Sequence, residues 1–173
     1  MTGFEFTVVP SRPECGTSEN VFEAIGEVVN GMEQLDDQIA TAISFLLRRG
    51  EQVGRIITAE LSFRGKVNLL TVLFVHERPR SEHLADLREL TAGSLQVEER
   101  RNQFIHSTWC RGPDGTGMTR IKHTARGKHG LRTHSEALEP DQVDALWQHC
   151  AYLDWSLDQL MFAEFGAEYG EPR

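Results

Sequence analysis

A chain of 173 residues and 19.6 kDa is long enough for one domain whose core needs neither disulfides nor metals to hold it. Hydrophobic residues at 39% and charged residues at 25% exclude a wholly disordered polymer, and no stretch approaches the roughly 20 apolar residues of a membrane span. A formal net charge of −8 excludes a protein that coats nucleic acid indiscriminately, because phosphate would repel it.

Residues 1–18 carry Pro10 and Pro13 and a short apolar alternation at Phe4, Phe6 and Val8. They read as an extended arm with at most one strand. Met1–Pro13 has no basic stretch followed by an apolar run, so a signal peptide is not expected and a cytoplasmic location is the default. Helical rhythm then starts abruptly. Val21, Ile25, Val28, Met32, Leu35, Ile39, Ala42 and Leu46 recur in steps of about three and four, one face of a long helix with Ser18 as N-cap and Gly50 as its stop. Gly26 and Gly31 each cost such a helix about 1 kcal/mol relative to alanine, which packing has to offset.

Gly54 to Phe63 reads as a connection, locally extended at Arg55–Thr58. A shorter helix comes next over Lys66–His76, closed by Pro79. Ser81 can cap the third helix, whose stripe runs Leu84, Leu87, Leu90, Ser94, Val97, Arg101 and Phe104. A guanidinium therefore falls on the face reserved for the core, and it must pair, reach solvent or face another subunit. After Trp109 the periodicity collapses into a turn-rich loop, Gly112–Gly117. Met118–Ala125 alternates loosely and is read as a strand paired with Leu131–His134. Pro140 opens the last helix, striped by Val143, Leu146, Cys150, Leu153, Leu157 and Leu160 to about Phe165. The tail after Gly166 is expected to fray. Three long stripes and one shorter helix in series predict a mainly α single domain. Its simplest form is an antiparallel four-helix bundle over 19–165, with a hairpin or loop insert over 110–134 and a tail over 166–173. Trp147 and Trp155 are expected in its core.

Positive charge is concentrated in the insert. Between Ser107 and His134 the ionised residues are Arg111, Arg120, Lys122, Arg126, Lys128 and Arg132 against Asp114 alone. If the insert lies near a nucleic-acid site, Arg120, Lys122, Arg126, Lys128 and Arg132 are its phosphate contacts. If not, they are a solvated face balancing an acidic bundle. Trp109 is either a base-stacking platform beside them or a core anchor at the helix end. Cys15, Cys110 and Cys150 are odd in number and far apart, so reduced thiols are expected. His123, His129 and His134 with Cys110 match no zinc-ligand frame, and Gly112–Gly117 lacks the Lys-Ser/Thr of a phosphate loop. No metal or cofactor is expected. Asp36, Asp37, Glu98 and Glu99 read as helix-face charges.

The end of the third helix holds the most specific signal. Asn102 and His106 are four apart and share a helix face, and Arg101 lies about 100° around from Asn102. Arg101-Asn102-x-x-x-His106, near the end of one helix of a bundle, resembles the motif of the HEPN superfamily, in which a polar residue follows an Arg and a His stands four to six positions after it. The resemblance covers the helices, their order and the motif's place across roughly 19–165; the basic insert is additional to a minimal domain of that type. It implies metal-independent RNA cleavage at a dimer interface, as in toxin or defence nucleases, with an antitoxin or other protein as a further partner. On that basis His106 would act on the ribose 2′-OH or the leaving oxygen, Arg101 would hold the phosphate, and Asn102 would orient either. Two other readings stay open. The trio can cap helix carbonyls in a non-catalytic dimerisation or protein-binding module, or it can hold the phosphate of a mononucleotide.

Overall fold

The computed structural model describes residues 21–111, 118–126 and 130–170, with only the backbone at Arg111 and Arg126. The predicted arm, the Ser18 cap, the loop at 112–117, Lys128 and the last residues lie outside that set. Among the described residues the order is α1 (Val21–Leu47), α2 (Glu51–Ala59), α3 (Phe63–Glu77), α4 (Leu84–Ile105), β1 (Thr108–Arg111), β2 (Met118–Arg126), β3 (Gly130–Leu138) and α5 (Pro140–Phe165). One 3-10 turn, Gly166–Glu168, comes after α5. The protein is thus mainly helical, and the described residues form five helices and a small antiparallel sheet rather than four helices and a hairpin. None of the described helices is long and apolar enough to cross a membrane.

The predicted stripes become the core. Val21, Val28, Met32, Leu35, Ile39, Ala42 and Leu46 of α1 are buried, as are Val143, Leu146, Cys150, Leu153, Leu157 and Leu160 of α5. With Val67, Leu70 and Phe74 of α3 and Leu87, Leu90, Val97 and Phe104 of α4 they form one contiguous apolar cluster. Helix α1 touches each of the other four helices, which makes it the centre of the assembly. Gly31 is where α5 comes closest: a Cβ there would stand 3.1 Å from Trp147 and 3.2 Å from Cys150. Burial pushes the Cys150 thiol up to about 12, so it is a packing residue rather than a nucleophile.

Helix α1 ends where Arg48 and Gly50 take positive φ, and the chain then enters α2 rather than an extended connection. The pattern hid this helix because its apolar residues face outward. Gly54 and Thr58 are the buried positions, while Val53, Ile56 and Ile57 are exposed. A Cβ at Gly54 would lie 2.6 Å from the Ser44 Cα, so only glycine lets the two backbones approach this closely. Arg55 pairs with Asp37 across the same contact, and Lys66 of α3 pairs with Asp36. Gly54→Ala is therefore expected to destabilise by about 1–3 kcal/mol through overpacking. Gly26→Ala, where nothing lies within 4 Å, should stabilise by about 0.5–1 kcal/mol. Thermal melts that shift in opposite directions would verify the pair; equal shifts would refute the close approach.

Helix α5 begins as predicted at Pro140, closed by a capping box between Glu139 and Gln142. Two expectations change near the C-terminus. Trp155 is 40% exposed and lies beside exposed Tyr152, with ring centroids 6.4 Å apart, because both fall outside the buried stripe of α5. The chain past Gly166 does not fray at once: the Tyr169 ring packs edge-on against Phe45, and its hydroxyl accepts from Gln38.

Candidate functional site

Three strands set the end of α4. Strand β1, unforeseen in the sequence because it is only four residues long, pairs antiparallel with β2, and β2 pairs with β3 in the order β1-β2-β3. The register of the longer pair puts Arg120 opposite Glu136, Lys122 opposite His134 and Thr124 opposite Arg132. Directly opposed residues share a face of a sheet, so these six occupy one side of the ribbon.

That side meets α4 through Arg120, which is only 3% exposed. Its Nε and Nη2 donate to Glu136 Oε2 at 3.1 and 2.7 Å. Its Nη1 donates to the Gln103 carbonyl and to Ser107 Oγ at 3.3 and 3.2 Å. Arg100 completes the cluster, donating through Nη2 to Glu136 Oε1 at 2.6 Å while its guanidinium lies over the Phe104 ring. The two arginines, Arg100 the more strongly, hold the Glu136 carboxyl below the usual carboxylate range. Arg120 is thus consumed inside the fold and is not a surface phosphate contact. A guanidinium this deeply buried needs its charge matched, and the register supplies Glu136 to do it. Neither Glu136 nor Arg100 stands out in the sequence; the one signal was a carboxylate just beyond a run of cations.

The same cluster accounts for the helix end. The last carbonyls of a helix lack intrahelical donors. Here Gln103 O accepts from Ser107 Oγ and Arg120, Phe104 O accepts from Trp109 Nε1 at 3.0 Å, and Asn102 O accepts from the His106 backbone N–H. Capping is done by residues other than the motif's side chains. Trp109 is half-buried, with its ring edge-on to Phe104 at 6.0 Å, which makes it an anchor rather than an open stacking platform.

The motif divides. His106 is the C-cap residue of α4, and its exposed imidazole has no partner among the described residues. Asn102 lines a polar groove of about 350 Å³ with Arg64 of α3, Glu98, Glu99 and Gln103 of α4, and Lys122 of β2. Arg101 turns toward α1. Its Nη2 lies 3.6 Å from Glu33, its Nη1 donates to Asn102 Oδ1 at 3.0 Å, and its buried Nε meets no acceptor among the described residues. Arg101 and His106 are five positions apart on the helix, about 140° around the axis. Within one chain the structure joins Asn102 to Lys122 in a groove that neither Arg101 nor His106 lines.

Of the remaining basic residues, Lys122 is half-buried at the groove, and Arg132 is exposed beyond it. Arg126 stands at the end of β2, opposite Gly130. Among the described residues no group of His, Cys, Asp or Glu is placed to hold a metal ion. Asp36 and Asp37 are in ion pairs, whereas Glu98 and Glu99 belong to the groove. Compared with known protein families, with curated proteins and with solved structures, the chain matches none.

Proposed function

We propose that this chain is an HEPN-like, metal-independent RNA endonuclease whose reacting end is the C-terminus of α4. The observation that carries the reading is the juxtaposition of Lys122 with Asn102 in one polar groove, one turn of helix from an exposed His106 that has no partner among the described residues. In this scheme His106 takes the proton of a ribose 2′-OH, and the freed oxygen attacks the adjacent phosphorus. The bond to the 5′-oxygen of the next nucleotide breaks, and that oxygen takes a proton from water, leaving a 2′,3′-cyclic phosphate and a 5′-hydroxyl. Asn102 orients the phosphate through its amide. Arg101 steadies the charge that develops, after exchanging a carboxylate it holds only loosely. Glu33 is 68% exposed, and an ion pair that open contributes about 1 kcal/mol or less. A second copy of the chain would complete the centre, as the resemblance implies.

The test uses RNA and DNA of one sequence, incubated with purified protein in EDTA. Cleavage of the RNA alone is expected, because DNA lacks the attacking hydroxyl. Cleavage of neither, or of both, would contradict the reading.

A second reading has its own support. The outward apolar residues of α2, Val53, Ile56 (69% exposed) and Ile57, together with Tyr152 and Trp155 of α5, suit a helical module that associates without chemistry. Sedimentation showing a stable oligomer, with RNA intact after long incubation, would favour it.

A further inference from the structure

The groove beside Asn102 holds equal numbers of opposite charges, Arg64 and Lys122 against Glu98 and Glu99. Taken alone it therefore offers a polyanion little net attraction, so further cations must act with Lys122 from beyond it. They lie on the ribbon, and the pairing register sorts them. On the side that carries Arg120 stand Lys122, Thr124, Arg132, His134 and Glu136, with Arg120 and Glu136 neutralising each other. On the opposite side stand Thr119, Ile121, His123, Ala125, Leu131, Thr133, Ser135 and Ala137. Among the described residues that side carries no Lys, Arg, Asp or Glu. A hairpin that served only to add solvated charge would have no reason to place its cations on one side.

Two further features give the side a direction. Arg120 reaches the Gln103 carbonyl, so this side is the one turned toward the end of α4. Past Lys122 the ribbon leaves the helices: Thr124 and Arg132 are exposed, as is His134 opposite Lys122. Lys122 belongs both to the groove and to the ribbon, and Arg132 stands one cross-strand step farther out, about 7 Å along the strands. The clamp of Arg100 and Arg120 on Glu136 ties this side to α4, so the cations keep a fixed relation to the groove.

We infer that this side of the β2–β3 ribbon is a phosphate-tracking arm, binding the backbone of RNA that continues out of the groove through Lys122 and Arg132, with the exposed His134 beside them. RNA as the polyanion rests on the reading proposed above; the sidedness of the arm does not. An acidic protein is the competing occupant. A protein interface would place apolar or aromatic residues at the centre of the contact, and this side has none between Lys122 and Arg132. Phosphate contacts need only cations and hydroxyls, and Thr124 supplies the hydroxyl. Contacts of this kind hold the strand without reading its sequence.

The test measures binding of a fluorescent single-stranded RNA of about 12 nucleotides by anisotropy across a salt series, in EDTA. His106→Ala is the background, so that cleavage does not intrude. Adding Lys122→Gln and Arg132→Gln should weaken binding about tenfold or more and lower the salt slope by about 1.4, since each phosphate contact on a single strand contributes about 0.7. Arg80→Gln with Arg88→Gln removes the same charge from exposed sites before and early in α4 and should leave the slope unchanged. An equal loss in both double variants would overturn the arm, since net charge alone would explain it; so would no loss in either, or no binding by the parent. An unchanged RNA slope with lost capture of an acidic protein would likewise overturn it in favour of the competing occupant. Loss of binding confined to the ribbon variant upholds the arm even if no RNA is cut, which separates this inference from the catalytic one.

Discussion

His106→Ala is expected to slow RNA cleavage by about 10²–10⁴-fold, the range that one positioned acid–base group contributes, with no change in melting temperature. The imidazole is exposed and without a partner among the described residues. What His106 gives the fold is its backbone N–H, which caps the Asn102 carbonyl at 3.1 Å and survives the substitution. The neighbouring carbonyls of α4 are satisfied by Ser107, Arg120 and Trp109, none of which depends on the imidazole. A rate that falls while the fold stands would mark the side chain as chemical. Undiminished cleavage in the variant would remove His106 from the mechanism.

Glu136→Gln should destabilise the fold through the buried ion pair on the sheet. Among the described residues it removes the only carboxylate paired with Arg120, leaving a guanidinium that is 3% exposed without a counter-charge. Breaking a fully buried pair in this way costs about 3–5 kcal/mol. Glu136 is itself 28% exposed, so about 2–3 kcal/mol is the expected loss. Arg100→Gln should cost less, because that side chain is 34% exposed and Arg120 keeps its partner. Denaturant melts that place the two variants in the opposite order would contradict the assignment of Arg120 as the buried member.

Acid should dissect the same cluster. The Glu136 carboxyl titrates below its ordinary 4.5 in the fold because Arg100 and Arg120 bond its ionised form. Its contribution is complete above 4.5 and is lost as pH falls through the lower folded value. His149 acts earlier. Burial lowers its pKa below 6.5, so the unfolded chain takes up the proton first and stability starts to decline as pH drops past 6.5. The melting temperature of the native protein should fall in two stages. The more acidic stage should shrink in Glu136→Gln while the first is kept.

How far the sequence discloses this molecule depends on which way its apolar residues face. The stripes of α1 and α5 were legible because each long helix buries one continuous face, and nearly every stripe residue is in the core. Helix α2 was not, since its inner face is Gly54 and Thr58 and its apolar side chains point to solvent. Trp155 misled for the related reason that a large aromatic residue on a long helix need not lie on its inner face. At the site, Arg101 was legible as an intrusion on a core stripe, but its turn toward Glu33 was not, because helical spacing says nothing about a neighbouring helix. The pairing of Arg120 with Glu136 required the strand register, which no local pattern in the hairpin encodes. Counting cations named the basic ribbon correctly as basic. It could not separate the cation that closes the fold from those that face outward.

The chemistry proposed for the end of α4 is tested most directly by the ends it leaves on RNA. Mass analysis of the fragments formed in EDTA should find a 2′,3′-cyclic phosphate on the upstream piece and a 5′-hydroxyl on the downstream one. It should also find no cut where the single ribose at the scissile position is 2′-deoxy. A 3′-hydroxyl paired with a 5′-phosphate, or cutting that persists at the deoxy position, would contradict attack by the 2′-oxygen and with it the role given to His106.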